Sequence, residues 1–243
     1  MTGFIGRRSA RWGMAVAGIA LAAVSARAQA DTRPTLAVMT FSNGAVGTAH
    51  TDLDALTIGV PMLLIDALAD NTKIRVVERE NLQAVIKEQN LGTSGRVDPA
   101  TAAHLGKILG AGHMIFGGFV TDPNGKIRIT ARSVNVETSL VEYNTDVEGK
   151  QNDLMTLITQ LADKLNAGLK LPPLAANVKE TSLQQAKKIP LQATLLYSRA
   201  IAAKESGKSD EAVQYLQKAI KEFPDFGQAQ EALKKLQPAG GTE

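Results

Sequence analysis

The chain has 243 residues, with 27 lysines and arginines, 24 aspartates and glutamates, and no cysteine. The missing thiol excludes disulfides, thiolate metal sites, cysteine nucleophiles and a lipid-modified N-terminal cysteine together. Four arginines (7, 8, 11 and 27) and no acids fall in the first thirty residues, so the remainder carries 23 basic against 24 acidic side chains and gives no support for nucleic-acid binding.

Those thirty residues run in the order of a cleavable secretory signal: Arg7, Arg8 and Arg11, an apolar stretch over 14–24, then Ala28, Gln29 and Ala30 before Asp31. The apolar stretch is about half of the roughly 20 residues that a membrane-crossing helix needs, which argues for cleavage after Ala30 over a permanent anchor. Ser9, Ala10 and Arg11 follow the arginine pair where the twin-arginine route prefers bulky apolar residues, so general secretion is the expected route. No later run is long and apolar enough to span a membrane, so none is expected after cleavage.

The expected elements then alternate. Residues 35–41 read as a buried first strand ended by Ser42, Asn43 and Gly44. A helix over 53–69 carries Leu56, Val60, Leu63, Leu64, Ala67 and Leu68 at helical spacing, with Pro61 marking either a kink or its start. A second strand is expected over 73–77, and a second helix over 80–90 ended by Gly92, Ser94 and Gly95. Asp98 before Pro99 is a helix cap followed by a proline at the first position, with Leu105, Ile108 and Leu109 leading to Gly110.

Residues 113–120 and 126–134 predict third and fourth strands joined by the tight turn Asp122, Pro123, Asn124, Gly125, and a fifth strand is expected over 140–147. Leu154, Leu157, Ile158, Leu161 and Leu165 stripe a helix that closes the domain near Leu169. The fold class is therefore α/β, a mixed sheet with flanking helices. Pro172, Pro173 and Pro190 bracket a stretch without an apolar face, read as a linker over 171–190. A small all-α hairpin follows over 194–206 and 209–222, with a capping stretch over 228–236.

No catalytic constellation emerges. His50, His104 and His113 have no carboxylate or second histidine at ligand spacing and read as surface or structural residues. Gly106, Lys107, Gly110 and Gly112 lie within and at the end of a helix, whereas a phosphate cradle needs the free N–H groups at a helix start. Asp52 and Asp54 lack the run of oxygen ligands that calcium loops use. No serine stands in a nucleophile elbow. The expectation is a protein with no catalytic residue, cofactor or metal site.

Residues 76–91, Val-Val-Glu-Arg-Glu-Asn-Leu-Gln-Ala-Val-Ile-Lys-Glu-Gln-Asn-Leu, resemble the strand-to-helix signature of the curli-secretion family, the CsgG/HfaB family. Residues 36–41 and 101–118 agree in order, so the resemblance covers about 34–170. It implies a periplasmic α/β module in proteins that assemble or secrete surface fibres and adhesins at the outer membrane, by assembly and not catalysis. Glu78 and Glu80 suit a helix N-terminus, and Arg79 can bridge to a neighbour without any ligand.

Two departures concern the membrane. Pore-forming members carry a lipid-bearing cysteine and long inserted hairpins; here neither 122–125 nor 135–140 has room for the two strands of roughly 9 to 11 residues that a barrel hairpin needs.

The C-terminal hairpin resembles one tetratricopeptide repeat (TPR), with Leu196, Ala200, Gly207, Ala212, Leu216, Ala219 and Pro224 at the positions that motif keeps apolar, small or breaking. A plain helical hairpin is the alternative. The expected organisation is a signal peptide over 1–30, a CsgG-like domain over 31–170, a linker over 171–190, a TPR-like repeat with capping helix over 191–237 and a disordered tail over 238–243. The leading functional expectation is a non-enzymatic periplasmic accessory protein that binds other envelope proteins through the α/β domain and the TPR-like helices, with a homo-oligomer as one open possibility. The alternatives are a regulator docking on an envelope or peptidoglycan enzyme, and a small-molecule binder at the sheet's carboxyl edge.

Overall fold

The computed structural model describes Met1, residues 31–89 and residues 98–237. The expected signal peptide, the helix-ending Gly92, Ser94 and Gly95, and the expected tail over 238–243 lie outside the described residues. The chain divides into two units, Met1–Thr32 and Arg33–Glu243, and every element below belongs to the second.

Strand β1 (Thr35–Asn43) is buried without interruption from Thr35 to Met39, because it has a strand on each side and helices on both faces. A five-residue helix α1 (Thr48–Asp52) holds His50, between the first strand and the first expected helix. Helix α2 (Leu56–Ala69) begins five residues before Pro61, which sits inside it and buried. The proline therefore marks neither end. Strand β2 (Arg75–Val76) is shorter than the expected 73–77.

Helix α3 (Arg79–Glu88) follows, then α4 (Pro99–Leu109), whose cap behaves as Asp98 and Pro99 predicted. The Asp98 carboxylate accepts from the Ala100 and Thr101 N–H groups at 3.0 Å each, and Gly110 closes the helix at φ 64°.

Strands β3 (His113–Thr121), β4 (Lys126–Asn135) and β5 (Val141–Lys150) complete a sheet of order β2-β1-β3-β4-β5. β1 runs parallel to β2 and β3, which are reached by helical crossovers, while β3, β4 and β5 are antiparallel neighbours. The β3–β4 turn forms as expected: Asp122 Oδ1 accepts from the Asn124 and Lys126 N–H groups at 2.9 and 2.8 Å.

One sheet face lies under α2 and α5 (Leu154–Gly168). Leu36, Val38, Ile115, Phe119, Ile129 and Val147 meet Leu63, Leu64, Ile158 and Leu161 there. A smaller cluster on the other face joins Ala37, Met39, Met114 and Val134 to Leu82 and Ile86 of α3 and Ala103 and Leu105 of α4. Each such side chain contributes about 1.5–3 kcal/mol when fully withdrawn from water. The outward side chains of β4 (Arg128, Thr130 and Arg132) stay exposed.

The stretch over 171–190, expected to be a linker, carries helix α6 (Ala176–Ala186). Asn71, 4 % exposed, anchors its approach by donating to Asn166 Oδ1 at 2.9 Å and to the Pro172 carbonyl at 2.7 Å. Lys179 pairs with Asp163 of α5, and Ser182 donates to Asp70 beyond α2. Such polar pins are invisible to a search for an apolar stripe.

Helices α7 (Leu191–Glu205), α8 (Ser209–Glu222) and α9 (Gly227–Leu236) form the expected hairpin and cap. They do not hang free. Tyr197, Ala200, Ile201, Leu216, Phe226 and Ala229 share one apolar cluster with α2, α5 and the sheet. Gly59 makes the approach possible: a Cβ there would lie 1.9 Å from Ser198 Oγ, and Ser198 is fully buried against it.

Candidate functional site

The family-like segment over 76–91 opens at the carboxyl end of β2 and takes in the whole of α3. Within it, Arg79 is 3 % exposed. Its Nε donates to Glu205 Oε1, and its Nη2 to Glu205 Oε2 at 3.2 Å. The adjacent Glu80 accepts from Lys204 Nζ at 2.7 Å, and this bond holds its carboxyl below the usual range. Two consecutive residues of α3 thus pair with two consecutive residues at the end of α7. Arg79 does bridge to a neighbour, and that neighbour lies 126 residues away.

The second nitrogen of the guanidinium fork, Nη1, has no hydrogen-bond partner and is buried. Arg79 also lines an open cleft of about 530 Å³ beyond the carboxyl end of β1, together with Thr40, Asn43, His50, Asp54, Gln83 and Glu205. One residue is inserted into β1 between Val38 and Phe41 relative to β3, a bulge beside Thr40 that re-aims the end of the strand into this cleft.

A second groove, about 1210 Å³, runs between α2, α6, α7 and α9. Asp66 stands in it. Burial, with Glu231 and Asp70 adding repulsion, raises its pKa from 3.8 to about 7, while Lys235 and a hydrogen bond from Tyr197 pull the other way. The groove's apolar side includes Met62, Met155, Ile189 and Ile201.

The other side chains weighed from the sequence fall elsewhere. His113 Nδ1 lies 2.6 Å from Glu142 Oε1, an oxygen that also accepts from Ser133 Oγ at 2.8 Å. Glu142 is the extra residue of a β5 bulge, which is what turns its carboxylate toward β3 and β4. The sheet thus supplies the carboxylate partner that no sequence spacing showed. His104 is exposed on α4, and Gly106 packs on Val136 and Met114. Asp52 and Asp54 bring no third ligand with them: among the described residues no three His, Cys, Asp or Glu side chains converge as a metal site would need.

Sequence reasoning missed Glu205, Lys204 and Asp66. The first two looked like ordinary charges at a helix end. Asp66 carried a readable signal, a lone carboxylate in a helix otherwise apolar from Gly59 to Ala69.

The family model described as "Curli production assembly/transport component CsgG" matches residues 18–122. The match supports a CsgG-like family and covers β1 through β3, ending at the β3–β4 turn, short of the 170 that the resemblance implied. No curated protein matches.

Among solved structures, the LpoB C-terminal domain from Salmonella enterica is 15% identical over 48% of this chain and 82% of that one, at a TM-score of 0.36. Lipoprotein GNA1162 from Neisseria meningitidis is 12% identical over 48% and 79%, at 0.39. A PelC dodecamer from Paraburkholderia phytofirmans is 14% identical over 58% and 90%, at 0.32. Likenesses this distant leave function and partners to be argued from this chain's own residues. Among those described, no helix is long and apolar enough to cross a membrane.

Proposed function

We propose that this chain is an exported, non-enzymatic envelope protein of the CsgG-like family, cleaved after Ala30, that works in the periplasm by binding other envelope proteins in the assembly or secretion of outer-membrane structures. The observation that carries this reading is the family match over residues 18–122, which includes the Arg79 and Glu80 turn. The inner face of α7 is already occupied by α2, so the surfaces left for partners are the polar outer sides of α8 and α9 and the open strands of the sheet. The 191–237 segment acts as a TPR-like unit seated on its own α/β domain.

The chain is an accessory and not itself a pore. β3 and β4 are joined by residues 122–125 and β4 and β5 by 136–140, too short for a pair of barrel strands of roughly 9 to 11 residues each. In-cell crosslinking followed by pull-down from envelope fractions tests the proposal. Fibre-assembly and outer-membrane secretion components are the expected catch. Recovery of a peptidoglycan synthase instead would move the function to enzyme regulation, and retention of the protein in the cytoplasm would sink both readings.

A further inference from the structure

We infer that the cleft beyond the carboxyl end of β1 is a binding site for a small amide-type ligand, one bearing a neutral carbonyl acceptor and an amino or amide N–H donor, as a short peptide amide does. The inference stands apart from the protein-binding role and does not need it. The strand order β2-β1-β3, all parallel, reverses direction between β1 and β3, and open α/β sheets place ligands beyond the carboxyl ends of the strands at such a point. About 530 Å³ is within the usual range for a small-molecule site.

The decisive residue is Arg79, which lines both this cleft and the larger groove and whose Nη1 is a charged donor buried without an acceptor. Leaving such a group unsatisfied is costly, and a ligand oxygen would relieve it. Asp54 and Gln83 line the same cleft, and their side chains have no hydrogen-bond partner among the described residues.

The charges select the ligand. Glu205 already neutralises the guanidinium, and Asp54 adds a further negative charge, so a carboxylate or phosphate would be repelled. The start of α2 offers no anion site either. The N–H groups of Leu56, Thr57, Ile58 and Gly59 are already bonded to the carbonyls of Leu53, Asp54 and Ala55. What fits is a neutral acceptor for Arg79 with a donor for Asp54 and Gln83.

Titration of the ¹⁵N-labelled protein with alanyl-alanine amide, followed by amide chemical shifts, tests this. Saturable shifts centred on Asn43, Asp54 and Gln83 are expected at millimolar ligand, and Asp54→Asn, at an exposed position, should weaken binding about tenfold. Succinate should leave the same resonances unmoved. Three results would overturn the inference: no saturable shift, binding undiminished in the Asp54→Asn, Gln83→Ala double variant, or a response to succinate or glucose, neither of which has an amide, equal to that of alanyl-alanine amide. Because no partner protein is present, failure here leaves the envelope-binding proposal standing, and failure of the pull-down leaves this site standing.

Discussion

The two faces of the sheet are closed in different ways. On one, α2 and α5 cover the strands and the C-terminal helices add a third layer in the same apolar cluster. On the other, α3 and α4 cover β1 and the base of β3, and Arg128, Thr130, Arg132 and the half-exposed Val120 face outward. The closed side is held by shape, with small residues letting helices approach. The open side keeps only a small apolar cluster under α3 and α4, and its uncovered strands carry exposed ion pairs, where Arg128 reaches Asp146 and Glu148 on β5. Substitutions should therefore be severe on the first side and mild on the second.

The largest effect is expected at the α2–α7 crossing. Gly59→Val places a Cβ 1.9 Å from Ser198 Oγ and 3.0 Å from the Ser198 backbone, so the helices must separate, at a cost of about 3 kcal/mol in urea unfolding. An unchanged midpoint would mean that the C-terminal helices do not share the core.

Next is Glu205→Ala, which strands the buried Arg79 charge. Glu205 is itself 21% exposed, so a cost of about 2–3 kcal/mol is expected, toward the low end for broken buried pairs. Arg79→Met combined with Glu205→Leu should recover most of it; a double variant no better than the single one would show that the pair is not the cause.

A smaller and pH-dependent effect belongs to Asp66. Its folded pKa, about 7, lies above the unfolded value near 3.8, so its contribution is most favourable below about pH 4, declines as pH rises to about 7 and is flat above. Asp66→Asn should therefore stabilise the protein at pH 8 by about 2 kcal/mol, roughly half of what the full shift is worth because Asp66 keeps some contact with solvent, and much less at pH 4. Equal effects at both pH values would contradict the raised pKa.

The smallest effects are expected at the half-exposed pairs. Lys204→Ala and Arg128→Ala should each cost about 0.5 kcal/mol or less, fading in high salt. A loss at Arg128 near that of Glu205→Ala would mean that the open face carries more of the fold than its exposure suggests.

Sequence patterning located the elements because their signals are local. Period-2 alternation marked β4, the Asp98 and Pro99 pair marked the start of α4, and the small and apolar residues from Leu196 to Ala219 marked the hairpin. The candidate cleft was foreseen only as a region, the carboxyl edge of the sheet, and not by its residues. The helix within the stretch read as a linker, α6 over 176–186, was not legible because it is held by Asn71, Asp70 and Asp163, partners supplied by other helices.

What the sequence determined by itself, then, was the mixed α/β class, the turn at 122–125 and the absence of any thiol chemistry, since each follows from neighbouring residues or from composition. Tertiary structure alone decided that α7 seats on α2, that Arg79 meets Glu205 across 126 residues while keeping one donor free, and that Asp66 is held above its usual pKa. Those outcomes depend on which charges and small residues the fold brings together, and neither helix period nor strand alternation carries that information.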